Sequence, residues 1–262
     1  MTAVTDPRTT PALPAAARTS SRIVPVLRLH LINRFTVFVL PWLILGFIFL
    51  VNFLIWWIIS QAAGPGSGQD VSDGLQYSGA SFYIFVYMTV MGVQAVALTF
   101  PFALGYSTTR RDFWLGTSLA FVLLSALYAA GMTVLAGLET ATNGWGFHGQ
   151  MFTAIYFGGA DAAWYTRFFL FFTGFLFFFF VGAVVATIYQ RWRVNGMLVF
   201  FAALVLVLVG IAALITLTNG WPAFGQWFVD HGPVGVMLWS LVPTALSGVL
   251  GYLILRRTTP KG

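Results

Sequence analysis

Charge is scarce in this sequence: Asp, Glu, Lys and Arg make up 8% of 262 residues, there are three histidines, and there is no cysteine. The missing cysteines exclude disulfides and thiolate metal sites and say nothing of redox compartment. His30, His148 and His231 all fall outside the long apolar stretches. A membrane-buried serine would therefore lack its histidine base, and no catalytic residue can be named. No His, Asp and Glu set has ligand spacing, so no metal site is expected. A Gly-rich loop ending in Lys-Ser/Thr is also missing, so the chain carries no nucleotide by that route, and any ATP it uses must be bound by a separate subunit. No acid lies mid-span, which argues against a carrier driven by a titrating carboxylate. The chain is expected not to be an enzyme.

What is present is hydrophobic: 59% of residues are apolar, and the mean hydropathy is +0.86. A soluble globule of this composition would leave most of its apolar surface in water. The expectation is an all-α polytopic membrane protein of six transmembrane helices. Met1 to Ser21, rich in Thr, Pro and Ala, reads as a disordered cytoplasmic tail, and residues 22–262 as one six-span domain. The spans are expected near Thr36–Ile59, Phe82–Ala103, Trp114–Leu138, Tyr165–Ile188, Met197–Ile215 and Val234–Leu255. Between Pro25 and Arg34, His30, Asn33 and Arg34 share one arc at helical spacing. That segment is either an interfacial amphipathic helix ahead of the first span or the early start of that span.

The N-terminal tail, the bends at Gly105–Trp114 and Gln190–Asn195, and the C-terminus hold twelve basic residues and the acids Asp6 and Asp112. The remaining loops hold Arg167 with Asp70, Asp73, Glu139, Asp161 and Asp230. Basic residues are retained in the cytoplasm, so both termini are expected inside, in a multi-pass membrane protein. The formal charge of +6 then reflects topology in a lipid bilayer and gives no sign of nucleic-acid binding.

Few polar residues interrupt the spans. Asn52 and Gln94 are the side-chain amides well inside them. Each contacts a substrate in a translocation path or, the commoner role, hydrogen-bonds a neighbouring helix. Ser247 and Gly251 form a small-xxx-small packing face. The bend Gly105-Tyr-Ser-Thr-Thr-Arg-Arg-Asp-Phe-Trp114 must face water, because Arg110, Arg111 and Asp112 are costly in hydrocarbon. Ser107 can cap a short helix there, with Phe113 and Trp114 as headgroup anchors. Two arginines could also serve only to fix topology.

The run Gly105-Tyr-Ser-Thr-Thr-Arg-Arg-Asp-Phe-Trp-Leu-Gly116 resembles the first cytoplasmic loop of bacterial type-2 ABC transporter permeases, where Ser-x-x-Arg-Arg-Asp-Phe-x-x-Gly variants recur. The layout of basic interfacial helix, six spans, cytoplasmic termini and a re-entrant-like loop before span six is similar too. The resemblance implies a permease, an exporter, whose first cytoplasmic loop is a coupling helix docked on a separate ATPase subunit. It also implies a second permease, a copy or a paralogue, to complete the path. Carried over, Thr109, Arg110, Arg111, Asp112 and Phe113 would form the coupling segment, with Phe113 supplying buried area, and Pro25 to Arg34 the connecting helix. The modest outer loop after span five departs from that pattern. The alternative is a substrate-binding or scaffolding membrane protein without its own energy coupling, which should show polar residues converging at the outer ends of several spans.

Overall fold

The computed structural model describes residues 22–62, 74, 75 and 78–258. The tail Met1 to Ser21 and most of the loop Ser60 to Ser81 lie outside them. The described residues are helical, with no strand among them. α1 is Ile23–His30, and a π turn at Phe35–Val39 leads into α2, Leu40–Ala62. α3 is Tyr83–Ala97, α4 is Thr99–Gly105 and α5 is Arg110–Ala141. α6 is Trp164–Leu217 and α7 is Trp221–Leu255. Five helical stretches are long and apolar enough to cross a membrane: Phe35–Ala62, Ala80–Gly105, Arg110–Ala141, Trp164–Leu217 and Trp221–Leu255. This is an all-α polytopic membrane protein.

The expected fourth and fifth spans are the two halves of α6, two helices that meet at a kink in the basic bend. At about 1.5 Å per residue α6 would be roughly 80 Å long, well over twice a hydrocarbon core of about 30 Å. It breaks at Arg193, whose φ is 55° and ψ −147°. The Arg191 guanidinium lies 4.5 Å from the Trp192 ring centroid, and that of Arg193 lies 5.9 Å from the Tyr189 ring. α7 likewise takes in Trp221–His231 ahead of the expected sixth span, with its own break at Gly232, φ 60°.

Two prolines shape the first two spans by the same device. Pro41 has no N–H to give to Val37 in α register or to Thr36 in π register, and a carbonyl left bare in hydrocarbon is costly. The backbone loosens into the π turn just before Pro41, and two tyrosines meet the freed carbonyls. Tyr87 donates to the Thr36 carbonyl at 2.8 Å, and buried Tyr128 donates to that of Val37. Pro101 in α4 leaves the carbonyl of Ala97, where α3 ends, and the Gln190 amide donates to it at 2.8 Å. We expect Tyr128→Phe to lower stability by about 1–2 kcal/mol. In a Pro41→Ala background, which restores the backbone donor, the loss should shrink. A double-mutant cycle on thermal unfolding in detergent measures it, and an unchanged loss would dissociate the tyrosine from the proline.

Helix packing rests on small residues. A Cβ on Gly92 of α3 would sit 2.4 Å from the Phe179 carbonyl oxygen, and one on Gly182 of α6 would sit 2.2 Å from that of Thr89. The two backbones therefore touch at a reciprocal glycine crossing. Around it the phenylalanines of α6 divide. Phe171, Phe175, Phe179 and Phe180 are buried, stacking Phe175 on Phe85 at 4.6 Å and Phe179 on Phe121 at 4.9 Å. Ser247 and Gly251 occupy the packed face of α7, where a Cβ on Gly251 would strike the Trp114 ring. Beyond Arg193, by contrast, apolar side chains such as Leu198, Val205, Leu206 and Leu214 are exposed, as a lipid-facing helix requires.

Candidate functional site

α1, the bend after α4 and the ends of α6's first half and of α7 gather at one end of the bundle. α4 closes on Ser107, whose φ is 55°. Its N–H reaches the Leu104 carbonyl at 3.0 Å and that of Thr108 reaches Ala103 at 3.1 Å, the paired bonds of a left-handed helix stop. Ser107 therefore ends one helix and does not cap the next. The cap is Thr109, extended at φ −71° and ψ 150°, whose hydroxyl accepts from the Asp112 N–H at 3.0 Å. Arg110 to Phe113 are accordingly the first turn of α5 and not a separate short helix. Asp112 suits that turn, as its charge faces the positive end of the helix.

Two expected anchors are buried. Phe113 has no exposed surface and meets Phe100 at 5.2 Å and His30 at 6.0 Å between ring centroids. Trp114 lies against Phe180 and Gly251. Neither ring can anchor at headgroups, and Phe113 cannot offer area to a partner, because α1, α4 and α7 already cover them. Tyr106, 74% exposed, and Arg111 are exposed, as are the smaller Ser107 and Thr109. Arg110 donates to the Arg256 carbonyl at the end of α7 at 2.7 Å, and Arg22 donates to the Tyr106 carbonyl. The turn is thus tied to both ends of the described chain.

α1 packs across the same turn. The helix ends at His30, so Asn33 and Arg34 lie beyond it, and the Asn33 side chain accepts from the Thr36 N–H at 3.2 Å. Val26 is buried over Gly116, where any Cβ would meet it at 2.7 Å. His30 Nε2 lies 2.8 Å from the hydroxyl of buried Thr117. Burial lowers the His30 pKa from 6.5 to about 4, holding the ring neutral. The folded state then binds fewer protons than the unfolded one between these values, so stability falls as pH drops from 6.5 toward 4. Thermal midpoints at pH 7 and pH 4.5 should differ by less in His30→Gln than in the parent. Equal differences would exclude His30 as the titrating group.

The two amides inside the spans fare differently. Asn52 lies on α2 beside Trp56, Ser78 and Ala80, and its Nδ2 is buried without a partner among the described residues. Gln94 is exposed on α3. Its expected interhelical hydrogen bond is absent: among the described residues its side chain has no partner. It borders a cavity of about 300 Å³ with His30, Asn33 and Thr36.

At the opposite end of the bundle, sequence reasoning missed a buried pair of charges. Glu139, in the last turn of α5, is 1% exposed. Its carboxylate accepts from the N–H groups of Met151, Phe152 and Thr153 (2.8 Å for Thr153), from the Thr153 hydroxyl at 2.6 Å and from the Trp145 indole at 3.0 Å. Buried Arg167 donates to the Thr140 hydroxyl at 3.2 Å and to the carbonyls of Gly159 and Ala160. Together they pin the segment 144–161 over the bundle. The pinned segment borders a polar cavity of about 420 Å³, lined by Glu139, Asn143, His148, Gln150 and Asp161 among others. No group of His, Asp and Glu able to hold a metal occurs among the described residues. No protein-family model, curated protein or solved structure matches the chain.

Proposed function

We propose that the chain is the permease subunit of an ATP-driven ABC exporter in the bacterial plasma membrane. On this reading it crosses six times, with α6 supplying two spans divided at Arg193 and both termini cytoplasmic. A separate ATPase subunit binds the ATP, and a second permease completes the path. The observation that carries the reading is the Thr109-capped turn at the head of α5. Exposed Arg111 stands on a turn that meets α1 through Phe113 and His30 and is bound to the end of α7 through Arg110. A push on such a turn reaches three helices together, which is what a protein without a phosphate loop of its own needs at its energised face. The coupling segment Thr109 to Phe113 is kept, with contact assigned to Tyr106 and Arg111, and Phe113 serving as the pivot behind them.

Charge reversal tests this. Arg111→Glu leaves the cap and the helix contacts of Arg110 and Phe113 in place, and the basic residues at Arg191, Arg193, Arg256 and Arg257 still hold the topology. It should reduce stimulation of the partner's ATP hydrolysis about tenfold, as expected for a charged contact on a docking rim. Single cysteines at Ser107 and Thr142, in a chain with none of its own, report orientation through an impermeant thiol reagent on intact cells: Thr142 should label and Ser107 should not. Normal stimulation by Arg111→Glu, or labelling at Ser107, would refute the coupling or the orientation respectively.

The polar cavity under segment 144–161 favours a second reading, a module that captures a polar solute at the outer face. Against it, the Glu139 carboxylate is already saturated by five donor groups of its own chain. The module would need no ATPase partner, so hydrolysis measurements separate the two.

A further inference from the structure

The cavity beside Gln94 lies between the end of α1, the π turn, α3 and α5, with Phe179 of α6 behind it. Its mouth is marked by exposed Ile32, Asn33, Gln94 and Leu98, and its floor by buried Val37, Ala120, Phe121 and Phe179. The position along α5 is set by helix rise: Ala120 to Leu124 stand ten to fourteen residues past Arg110, roughly 15–21 Å from the capped turn. The cavity therefore opens sideways into the leaflet on the basic side, reaching from the level of α1 into hydrocarbon.

Its lining divides by polarity. His30, Asn33, Thr36 and Gln94 border it with hydrogen-bonding groups, while Leu29, Val37, Met91, Leu98, Phe121, Leu124 and Phe179 are apolar. A volume of about 300 Å³ is at the low end for ligand pockets, and at about 30 Å³ per water-sized unit it holds on the order of ten chain carbons. That is room for one chain and not for two. An unpaired amide at this depth is costly in lipid, and what satisfies Gln94 while filling an apolar floor must be amphipathic itself. We infer that this cavity binds the single chain of an amphipath drawn from the leaflet on the basic side, its hydrogen-bonding head held by Asn33 and Gln94. His30 links the cavity to the turn at the head of α5, since it borders the cavity while touching Thr117 and Phe113. That the amphipath is the transported substrate rests on the exporter reading; that it binds does not.

The test is photolabelling of the purified full chain, without any ATPase, by lysophosphatidylglycerol carrying a diazirine in its chain. Adducts should concentrate on the peptides holding Phe121, Leu124 and Phe179. Ala120→Phe, which fills the floor, should reduce them about tenfold while labelling of the exposed stretch 198–214 stays unchanged. Should Ala120→Phe fail to fold, Gln94→Leu at the exposed mouth disturbs no packing and should reduce them about threefold. Labelling spread evenly over the apolar surface would overturn the inference. So would adducts insensitive to both variants, or equal competition by glycerol phosphate, which would make the site one for the headgroup alone. Protection that rises with protein concentration in the absence of lipid would show a second copy covering the cavity and would overturn it too. A loss of ATPase coupling with photolabelling intact would strike the exporter reading and leave this site standing.

Discussion

Glu139→Ala should cost about 3–5 kcal/mol and release segment 144–161 from the bundle. The carboxylate accepts from three backbone N–H groups, one hydroxyl and one indole, in a site 1% exposed. Removing it strands buried donors at about 1–3 kcal/mol each where water cannot replace the acceptor, and leaves Arg167 without its nearby counter-charge. Water entering the neighbouring polar cavity limits the total. Glu139→Gln keeps the shape but offers one acceptor oxygen in place of two, so an intermediate loss is expected. Limited proteolysis of segment 144–161, alongside thermal unfolding in detergent, measures both. If Glu139→Ala leaves the segment protected, aromatic packing alone holds it, through contacts such as Phe49 with Trp145 at 4.7 Å.

The second large effect is at the crossing of α3 and α6. Gly182→Leu and Gly92→Leu each drive a side chain into the opposing backbone, where even a Cβ would stand 2.2 Å or 2.4 Å from a carbonyl oxygen. Neither oxygen sits on a flexible side chain, so α3 and α6 must separate, undoing the stack of Phe85 on Phe175. A loss of at least about 3 kcal/mol is expected, the upper range of core overpacking, seen as loss of monodisperse folded protein. Gly210→Leu, in the exposed half of α6 where nothing lies within 4 Å, is the matched control and should fold normally. Equal yields from all three variants would show that the crossing is not close.

The apolar runs were readable because hydrocarbon demands length and composition, and the expected spans lie inside the five helical stretches long and apolar enough to cross a membrane. Where one helix ends and the next begins was harder. Arg193 carries the break in α6 without a glycine or proline, so the residues there read as a loop of six while one suffices. The cap was legible in principle: Thr109 stands three residues ahead of Asp112, the spacing at which a cap hydroxyl meets a backbone N–H, whereas Ser107, four residues ahead of Arg111 in the same Ser/Thr run, lies too far back. Phe113 and Trp114 read as interfacial because they border a charged bend, and nothing in their neighbourhood tells that α1 folds back over the turn. Glu139 and Arg167 read, from sequence, as loop charges that report topology. Their burial depends on how segment 144–161 folds back, with left-handed Asn143, Trp145 and His148 at its start, and this is a tertiary fact that spacing does not encode. Gln94 failed in the other sense, since an amide inside an apolar run is ordinarily paired by a neighbouring helix, and here it borders a cavity.

Coupling through the bend after α4 is the central claim, and site-specific photo-crosslinking tests it most directly. A benzophenone amino acid replaces Tyr106, 74% exposed and outside every packed contact of its ring, in membranes of the source cell. The account predicts an adduct with an ATPase bearing a phosphate loop, with a yield that changes when ATP is added and falls in Arg111→Glu. The same probe at Thr142, at the other end of the bundle, should give no such adduct. Adducts at Tyr106 with lipid or with other parts of this chain alone would contradict the account.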